Sequence, residues 1–402
     1  KAITQAAEGQ VHIVEIGGTV GDYEGLSFIE AIREYAHEVG RENCLFVHVV
    51  YVPFLEASGE YKTKPAQNAL ADLRGFGIMP DVVGVRTEGH NKPPKSIGDK
   101  IAISSGVRQE GIIMMPNVHS VYEVPLTVSR DLGGLLAKFT DNSTEPDLKR
   151  WKKLAERDTT EYKQEITIGL VAKYADNSDT YLSVTEALKS AAWAEKCEVN
   201  IRWINAETAS DKDFSEVDGL LVPGGFGARG VEGKIAAAKY CIKNNKPYLG
   251  LCLGLQVAVI AAARQGGVQD ANSEEFGAKS GANVIYIMDG QQGKQSTGGT
   301  MRLGDYESVL IPNSQAARAY GSNEVVERHR HRYEVNQDFT QSIEQGGLII
   351  SGTSPDGRLV EFVEAPANDY FVATQAHPEF KSRPFRPHPL FTGLMRAAKS
   401  SK

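Results

Sequence analysis

One stretch, residues 246–260, most constrains what this chain can fold into. It reads as an apolar strand that passes directly into an apolar helix, with Gly250-Leu-Cys252-Leu-Gly254 at the junction. Small residues on both sides of Cys252 predict a strained strand-to-helix turn that presents the thiol. The start of a helix favours a thiolate, so Cys252 is a candidate nucleophile that still needs a base.

A candidate base follows the apolar run 370–374, in Gln375-Ala-His377-Pro-Glu379. His377 would accept the thiol proton and Glu379 would orient the imidazole, which predicts a Cys/His/Glu triad. The alternative is a buried structural cysteine and an unrelated histidine. The combination of both motifs with an upstream glycine turn disfavours that alternative.

The glycine turn is Pro223-Gly-Gly225-Phe-Gly227, which follows the apolar segment 220–222. Glycines allow backbone N–H groups to approach a ligand closely, and the N–H of Leu253 is a natural second donor to an oxyanion.

These three motifs resemble the class I glutamine amidotransferase family. The resemblance implies that Cys252 attacks the side-chain amide of glutamine, that a γ-glutamyl thioester forms and that ammonia leaves. It also implies an oxyanion hole at Gly225 and Leu253, a substrate contact at Glu275 and an α-carboxylate contact at Arg332. The full set of implied glutamine-binding residues is Gly225, Leu253, Gly254, Leu255, Gln256, Glu275 and Arg332.

Composition limits the other possibilities. The chain has 402 residues, 41% of them hydrophobic, which suffices for about two or three domains. A net charge of −7 argues against a nucleic-acid-binding surface. The four cysteines, at 44, 197, 241 and 252, show no pairing or metal spacing, so a reducing cytoplasm is expected. No apolar run approaches the ~18 residues of a membrane span, and no membrane association is expected.

The amino-terminal half contains a second group of motifs. Residues 11–16 read as an apolar strand that ends in Glu15 and glycines, and residues 44–53 read as a buried strand. Carboxylates at the carboxyl end of a parallel strand suit a metal or a sugar hydroxyl. Lys62-Thr-Lys64-Pro-Ala-Gln67 then opens a helix and suits an anionic ligand such as a triphosphate.

Glu15-Ile-Gly-Gly-Thr-Val-Gly-Asp22 and the Lys62–Gln67 segment resemble the synthetase half of the CTP synthase family, joined to the amidotransferase half. The resemblance implies that UTP is phosphorylated with Mg-ATP and aminated with ammonia from glutamine, with GTP as activator, CTP as inhibitor and a homotetrameric assembly. It implies a magnesium ligand at Glu15. The implied UTP or CTP contacts are Asp22, Tyr23, Glu24, Lys62, Thr63, Lys64, Pro65, Ala66, Gln67 and Lys100.

One departure from the family pattern concerns the ATP phosphates. No G-x-x-x-x-G-K-[ST] loop occurs in the sequence, and the Gly-Lys pairs at 233–234 and 293–294 lack the flanking residues. We therefore expect the sequence to lack the family's amino-terminal phosphate-loop segment, and the chain alone to carry out only the glutaminase half-reaction.

Strand and helix patterns alternate along the whole sequence. They predict an α/β fold with two doubly wound, mostly parallel-sheet domains. The expected division is a partial P-loop-like synthetase domain at 1–140, a linker helix at 141–164 and a class I amidotransferase domain at 165–402. A lid is expected at 298–304. Two alternatives stay open: another class I amidotransferase or γ-glutamyl hydrolase, and a non-catalytic nucleotide-binding or assembly protein without glutaminase activity.

Overall fold

The computed structural model describes residues 11–89, 93–173, 178–277, 282–288 and 301–401. The chain forms two compact units, residues 1–160 and residues 161–402. Among the described helices, none combines the length and apolar character needed to cross a membrane. The two units are considered separately below.

The first unit is built on a small parallel sheet of strand order β1-β4-β5. Val82 to Val85 of β4 are all buried, because a central parallel strand is covered on both faces. Strands β2 and β3 follow β1 along the chain and form a two-stranded antiparallel ribbon. The strands are β1 (Val47–Val52), β2 (Phe54–Leu55), β3 (Glu60–Tyr61), β4 (Val82–Thr87) and β5 (Ile112–Pro116), and the helices are α1 (Leu26–Val39), α2 (Lys64–Gly75), α3 (Lys95–Ser105), α4 (Val124–Thr140) and α5 (Lys149–Asp158).

One sequence prediction for this unit is wrong, and another is confirmed only in part. Residues 11–16 form no strand, and Val11, Ile13 and Val14 are exposed. A strand needs a neighbour to satisfy its backbone groups, and no strand of the described chain pairs with this segment. The predicted buried strand at 44–53 is present as the shorter β1, but only one of its faces is buried, because Val47, Val49 and Tyr51 are exposed and Val50 and Val52 are buried.

The predicted linker at 141–164 contains only the helix α5. That helix buries Leu154 and Ala155, and the ring of Trp151 lies 6.3 Å from that of Tyr122. Backbone contacts therefore group α5 with the first unit, whose limit falls at residue 160. The three-part division remains a prediction.

The second unit is built on a nine-stranded sheet of order β13-β12-β15-β16-β17-β9-β8-β6-β7. A second, three-stranded sheet contains β10, β11 and β14. The strands are β6 (Glu165–Ala172), β7 (Glu198–Asn205), β8 (Gly219–Val222), β9 (Tyr248–Leu251), β10 (Asn272–Ser273), β11 (Asn283–Ile287), β12 (Arg302–Leu310), β13 (Glu324–His331), β14 (Tyr333–Val335), β15 (Ile349–Thr353), β16 (Val360–Glu364) and β17 (Phe371–Thr374). The helices are α6 (Leu182–Ala194), α7 (Asp211–Ser215), α8 (Val231–Asn244), α9 (Leu253–Gln265), α10 (Gln315–Tyr320), α11 (Thr340–Gln345) and α12 (Pro389–Ser400).

The half of the large sheet from β17 to β7 is parallel, and the half from β13 to β17 is antiparallel. Helices α8 and α9 contribute to one hydrophobic core, and α6 and α12 contribute to another. The α/β class predicted from the alternation is confirmed. The predicted lid at 298–304 is wrong at its end, because Arg302 to Gly304 belong to β12; residues 298–300 lie outside the described residues.

The register of β9 and β17 positions the residues that follow them. The two strands are parallel, and Leu251 pairs with Thr374. Both strands therefore end at the same level, at the carboxyl edge of the sheet where α/β proteins place their ligand sites. Cys252 and Gln375 are the next residues along the chain.

Candidate active site

Cys252 occupies a strained backbone conformation between β9 and α9. Its φ of 53° and ψ of −101° lie where a side chain is disfavoured, and only 5% of the residue is exposed. The flanking glycines are needed for space: a Cβ on Gly250 would lie 2.8 Å from the carbonyl of Gly254, and one on Gly254 would lie 2.3 Å from the Val222 oxygen. The predicted elbow is therefore present.

His377 and Glu379 lie on the segment that follows β17. The backbone N–H of His377 donates to the Arg328 oxygen at 2.7 Å, and its Nδ1 lies 2.7 Å from Glu379 Oε1. Since a carboxylate only accepts, Nδ1 carries the proton and Nε2 is left for the thiol. Burial lowers the pKa of His377, but Cys252 and Glu379 outweigh it and raise the pKa to about 11.

The glycine turn that follows β8 lies against both catalytic candidates. A Cβ on Gly224 would stand 2.7 Å from His377 Cε1 and 3.6 Å from Cys252 Cβ, and one on Gly225 would stand 3.4 Å from Leu253 Cδ2. The N–H of Leu253 is the first of α9 and has no acceptor within that helix. The two predicted oxyanion donors thus belong to neighbouring segments.

Two buried amides extend this arrangement. Gln375 Nε2 donates to Cys252 Sγ at 3.6 Å, and Gln375 Oε1 accepts from Gln256 Nε2 at 3.2 Å. Gln256 also donates to the Tyr333 oxygen at 3.3 Å. The sequence predicted glutamine binding at Gln256 and no role for Gln375. The position of Gln375, two residues before the base His377, is the signal that could have identified it.

Glu275 and Arg332, the predicted substrate contacts, lie near the same turn. The N–H of Gly227 donates to Glu275 Oε1 at 2.8 Å. Burial raises the pKa of Glu275, against the opposing effects of Gly227, Arg332 and Lys173. Glu275 therefore lies beside the glycine turn, and Arg332 lies within electrostatic range of Glu275. The side chains of Leu253 and Leu255 lie in the core.

Lys234 is a second residue for which the sequence predicted no role, because its Gly-Lys pair lacks the flanking residues of a phosphate loop. It lies on α8, is 2% exposed, and its Nζ would stand 3.6 Å from a Cβ on Gly225. Its neighbour Gly233 allows this approach of α8, because a Cβ there would lie 1.9 Å from the Ala206 oxygen.

A buried group of charged residues lies on the antiparallel half of the sheet. Arg302 Nη1 lies 2.6 Å from Glu361 and 3.8 Å from Glu334, and His329 Nδ1 lies 2.9 Å from His331 Nε2. Burial raises the pKa of both glutamates and lowers that of His329 to about 3. The pair of histidines is therefore neutral at physiological pH.

In the first unit, the predicted nucleotide residues begin helix α2. Lys62 forms an ion pair with Glu60, and both Lys62 and Lys100 lower the pKa of Glu60. Thr63 Oγ1 accepts a hydrogen bond from Gln67 Nε2 at 3.2 Å, which links two residues of the predicted motif. Lys64 and Pro65 are exposed, whereas the side chain of Ala66 is buried, so only the backbone of Ala66 could contact a ligand.

The remaining candidates of the first unit are exposed and separate. Asp22, Tyr23 and Glu24 precede α1, and no hydrogen bond or ion pair of the described residues joins them to 62–67. Glu15 is exposed, and no group of three possible metal-binding side chains occurs in the described ranges. A single carboxylate fits Mg²⁺ only where nucleotide phosphates supply most of the contacts. The assignment of Glu15 stays a prediction.

Comparison with known proteins follows the division into two units. The family described as CTP synthase N-terminus matches residues 1–138, and the family described as Glutamine amidotransferase class-I matches residues 177–397. Among solved structures, the glutaminase domain of Trypanosoma brucei CTPS with bound acivicin is 40% identical, with a TM-score of 0.55; the match covers 58% of this chain and 94% of that one.

Full-length relatives match both units together. The CTP synthase of Methanocaldococcus jannaschii is 47% identical over 100% of this chain and 76% of its own length. The CTP synthase of Carboxydothermus hydrogenoformans is 46% identical over 98% of this chain and 75% of its own length. The chain belongs to the CTP synthase family, whose members are glutamine-dependent ligases that use ATP.

Proposed function

We propose that the second unit supplies ammonia by hydrolysing glutamine at Cys252, with His377 as base and Glu379 as its orienting group. The observation that carries the proposal is the strained elbow of Cys252 with the His377–Glu379 pair beside it. A thiol needs a base and an oxyanion site to attack an amide, and both are within reach of this cysteine.

In the first step, the Cys252 thiolate, whose proton has already moved to His377 Nε2, bonds through Sγ to the side-chain carbonyl carbon of glutamine. The carbonyl oxygen becomes an oxyanion, which the N–H groups of Gly225 and Leu253 stabilise. Glu379 holds the Nδ1 proton, so the imidazole keeps the tautomer that can accept at Nε2.

In the second step, His377 returns the proton to the departing nitrogen, the C–N bond breaks and ammonia leaves a γ-glutamyl thioester on Cys252. Water then gives up a proton to His377 and attacks the thioester carbon, which releases glutamate and restores the thiolate and imidazolium pair. The same imidazole therefore acts alternately as base and acid.

The substrate's charged end faces a pair of opposite charges in this scheme. Arg332 would bind the α-carboxylate and Glu275 the α-ammonium group of glutamine, because Glu275 contacts the glycine turn and Arg332 acts electrostatically on Glu275. A glutamine anchored at both charges presents its amide to Cys252 in a fixed orientation. Gly254, Leu255 and Gln256 would complete the contact surface.

For the first unit, we propose a UTP or CTP site at the start of α2. Lys62, Lys64 and Lys100 would contact the phosphates, with Gln67 nearby and Asp22 and Glu24 toward the sugar or base. The support is the cationic start of α2 together with the electrostatic link between Lys100 and Glu60. Glu15 would contribute one ligand to Mg²⁺, whose chemistry would be charge neutralisation on the ATP phosphates.

The regulatory and cellular properties implied by the family are also proposals: activation by GTP, inhibition by CTP, a homotetramer and a cytoplasmic location. Sedimentation with and without UTP and ATP would test the tetramer. Steady-state glutaminase rates over a range of GTP concentrations would test the activation.

The glutaminase proposal is tested by Cys252→Ala and by an electrophilic glutamine analogue. We expect the variant to fold and to release no glutamate or ammonia, and the analogue to label Cys252 alone. Burial raises the pKa of Cys197 and Cys241, so these thiols serve as internal controls that should stay unlabelled. Hydrolysis by the alanine variant, or labelling at another cysteine, would exclude the proposed nucleophile.

A further inference from the structure

Lys234 is a buried lysine whose charge is not balanced by an ion pair. It is 2% exposed, and no hydrogen bond or ion pair of its Nζ occurs among the residues that the structure describes. Buried lysines are rare unless they are paired, because removing an ammonium group from water costs several kcal/mol per ion. A purely structural role would be served better by an apolar side chain of the same length.

The position of Lys234 relates it to the nucleophile. Its Nζ lies 3.6 Å from where a Cβ of Gly225 would be, and Leu253 Cδ2 lies 3.4 Å from the same point. A Cβ on Gly224 would likewise lie 3.6 Å from Cys252 Cβ. The ammonium group and the nucleophile therefore lie next to consecutive residues of the glycine turn, Lys234 beside Gly225 and Cys252 beside Gly224.

We propose that the ammonium group of Lys234 is a positioning residue of the glutaminase site that stabilises Cys252 as a thiolate through the glycine turn. The inference rests on the proposed nucleophilic role of Cys252. Lys234 transfers no proton in this scheme: the Sγ proton still moves to His377 Nε2. Its contribution is the positive charge that the ammonium group carries below a pH of about 8, in a site of low dielectric constant, which lowers the free energy of the sulfur anion.

The electrostatics of the site agree with this geometry. Burial and the neighbouring Lys173 lower the pKa of Lys234 to about 8, and Cys252 acts in the opposite direction. Among the titratable groups of the described residues, Lys173 and Cys252 are the ones that act on Lys234. Glu232, on the same helix, instead pairs with Arg264 at 2.7 Å.

The test is the pH dependence of Cys252 alkylation by iodoacetamide in Lys234→Met. Methionine keeps the length of the stem and removes the charge. We expect the midpoint of the alkylation profile to rise by about one pH unit, which makes alkylation about tenfold slower below the midpoint. Lys243→Met, on the exposed face of α8, removes the same charge and should leave the profile unchanged.

Stability separates this role from a structural one. Because an unpaired buried charge disappears, calorimetry should show Lys234→Met to be at least as stable as the wild type. An unchanged alkylation midpoint in the folded variant would overturn the proposal. If wild-type Cys252 reacted no faster than Cys44, the proposed catalytic role would fail instead, so the two failures are distinguishable.

A measurement on the wild-type protein tests the proposal without any variant. Coupling is reciprocal, so alkylation of Cys252, which removes the thiolate charge, must lower the pKa of Lys234. Titration of the ¹³Cε resonance of Lys234 before and after alkylation measures this change. An unchanged pKa would refute the coupling, whatever the behaviour of Lys234→Met.

Discussion

Gln375 Nε2 donates a hydrogen bond to Cys252 Sγ over 3.6 Å, although the two residues are 123 positions apart in the sequence. The contact follows from the parallel pairing of β9 with β17, which ends both strands at the same level. A buried N–H donor directed at sulfur favours the thiolate over the thiol.

The first prediction concerns this contact. Gln375→Glu keeps an oxygen that can accept from Gln256 but removes the donor and adds a negative charge beside Sγ. We expect slower alkylation of Cys252 in Gln375→Glu than in Gln375→Leu, which removes the donor without adding charge. Iodoacetamide rates at pH 7 measure the difference. Equal rates in the two variants would show that a charge at this position does not influence the sulfur, and a wild-type rate in Gln375→Leu would show that the amide does not.

The second prediction separates the roles of His377 and Glu379. His377→Ala removes the general base, a contribution of about 10²–10⁴ in rate, whereas Glu379→Gln retains a group that can hold the imidazole. We therefore expect the histidine variant to lose more kcat for glutamine hydrolysis. A folded Glu379→Gln variant as inactive as His377→Ala would contradict this division.

The third prediction concerns the titration of His377. Burial lowers the pKa of this residue, while Cys252 and Glu379 raise it to a net value of about 11. In Cys252→Ala the contribution of the sulfur is lost, so the pKa of His377 must fall. Imidazole titration by NMR should show a lower midpoint in the alanine variant than in wild type; an equal or higher midpoint would exclude the thiolate–imidazolium pair.

The fourth prediction concerns the nucleotide site. Lys64→Met should weaken UTP or CTP binding by ~1.5–3 kcal/mol, the usual range for a charge-assisted contact. Glu60 competes with phosphate for Lys62, so Glu60→Gln should strengthen the binding of UTP or CTP. Titration calorimetry compares nucleotide binding by the three proteins, and their thermal unfolding is the control for folding of the first unit.

The fifth prediction concerns the strained elbow. At φ 53° and ψ −101°, any side chain costs ~1–3 kcal/mol, which glycine avoids. We expect Cys252→Gly to unfold at a denaturant concentration at least as high as Cys252→Ala, because Cys252 is also the N-cap of α9, a position where glycine is preferred to alanine. A markedly less stable glycine variant would indicate that the elbow is not strained in solution.

The sequence by itself determined the chemical groups of the site and the local turns that present them. Gly250 and Gly254 could be recognised around Cys252 because a tight strand-to-helix turn admits only small residues, a requirement that local spacing reveals. His377 and Glu379 were recognisable for a similar reason, since a base and its orienting group are two residues apart. The alternation of strands and helices predicted the α/β class in the same way.

Only the tertiary structure decided which distant groups meet and which are buried. The contact of Gln375 with Cys252 depends on the register between two strands, and the burial of Lys234 depends on how closely α8 packs against the segment at Ala206. The failure of residues 11–16 to form a strand has the same origin, because pairing requires a neighbouring strand. Burial and pairing are properties of the packed chain, so local sequence patterns do not encode them.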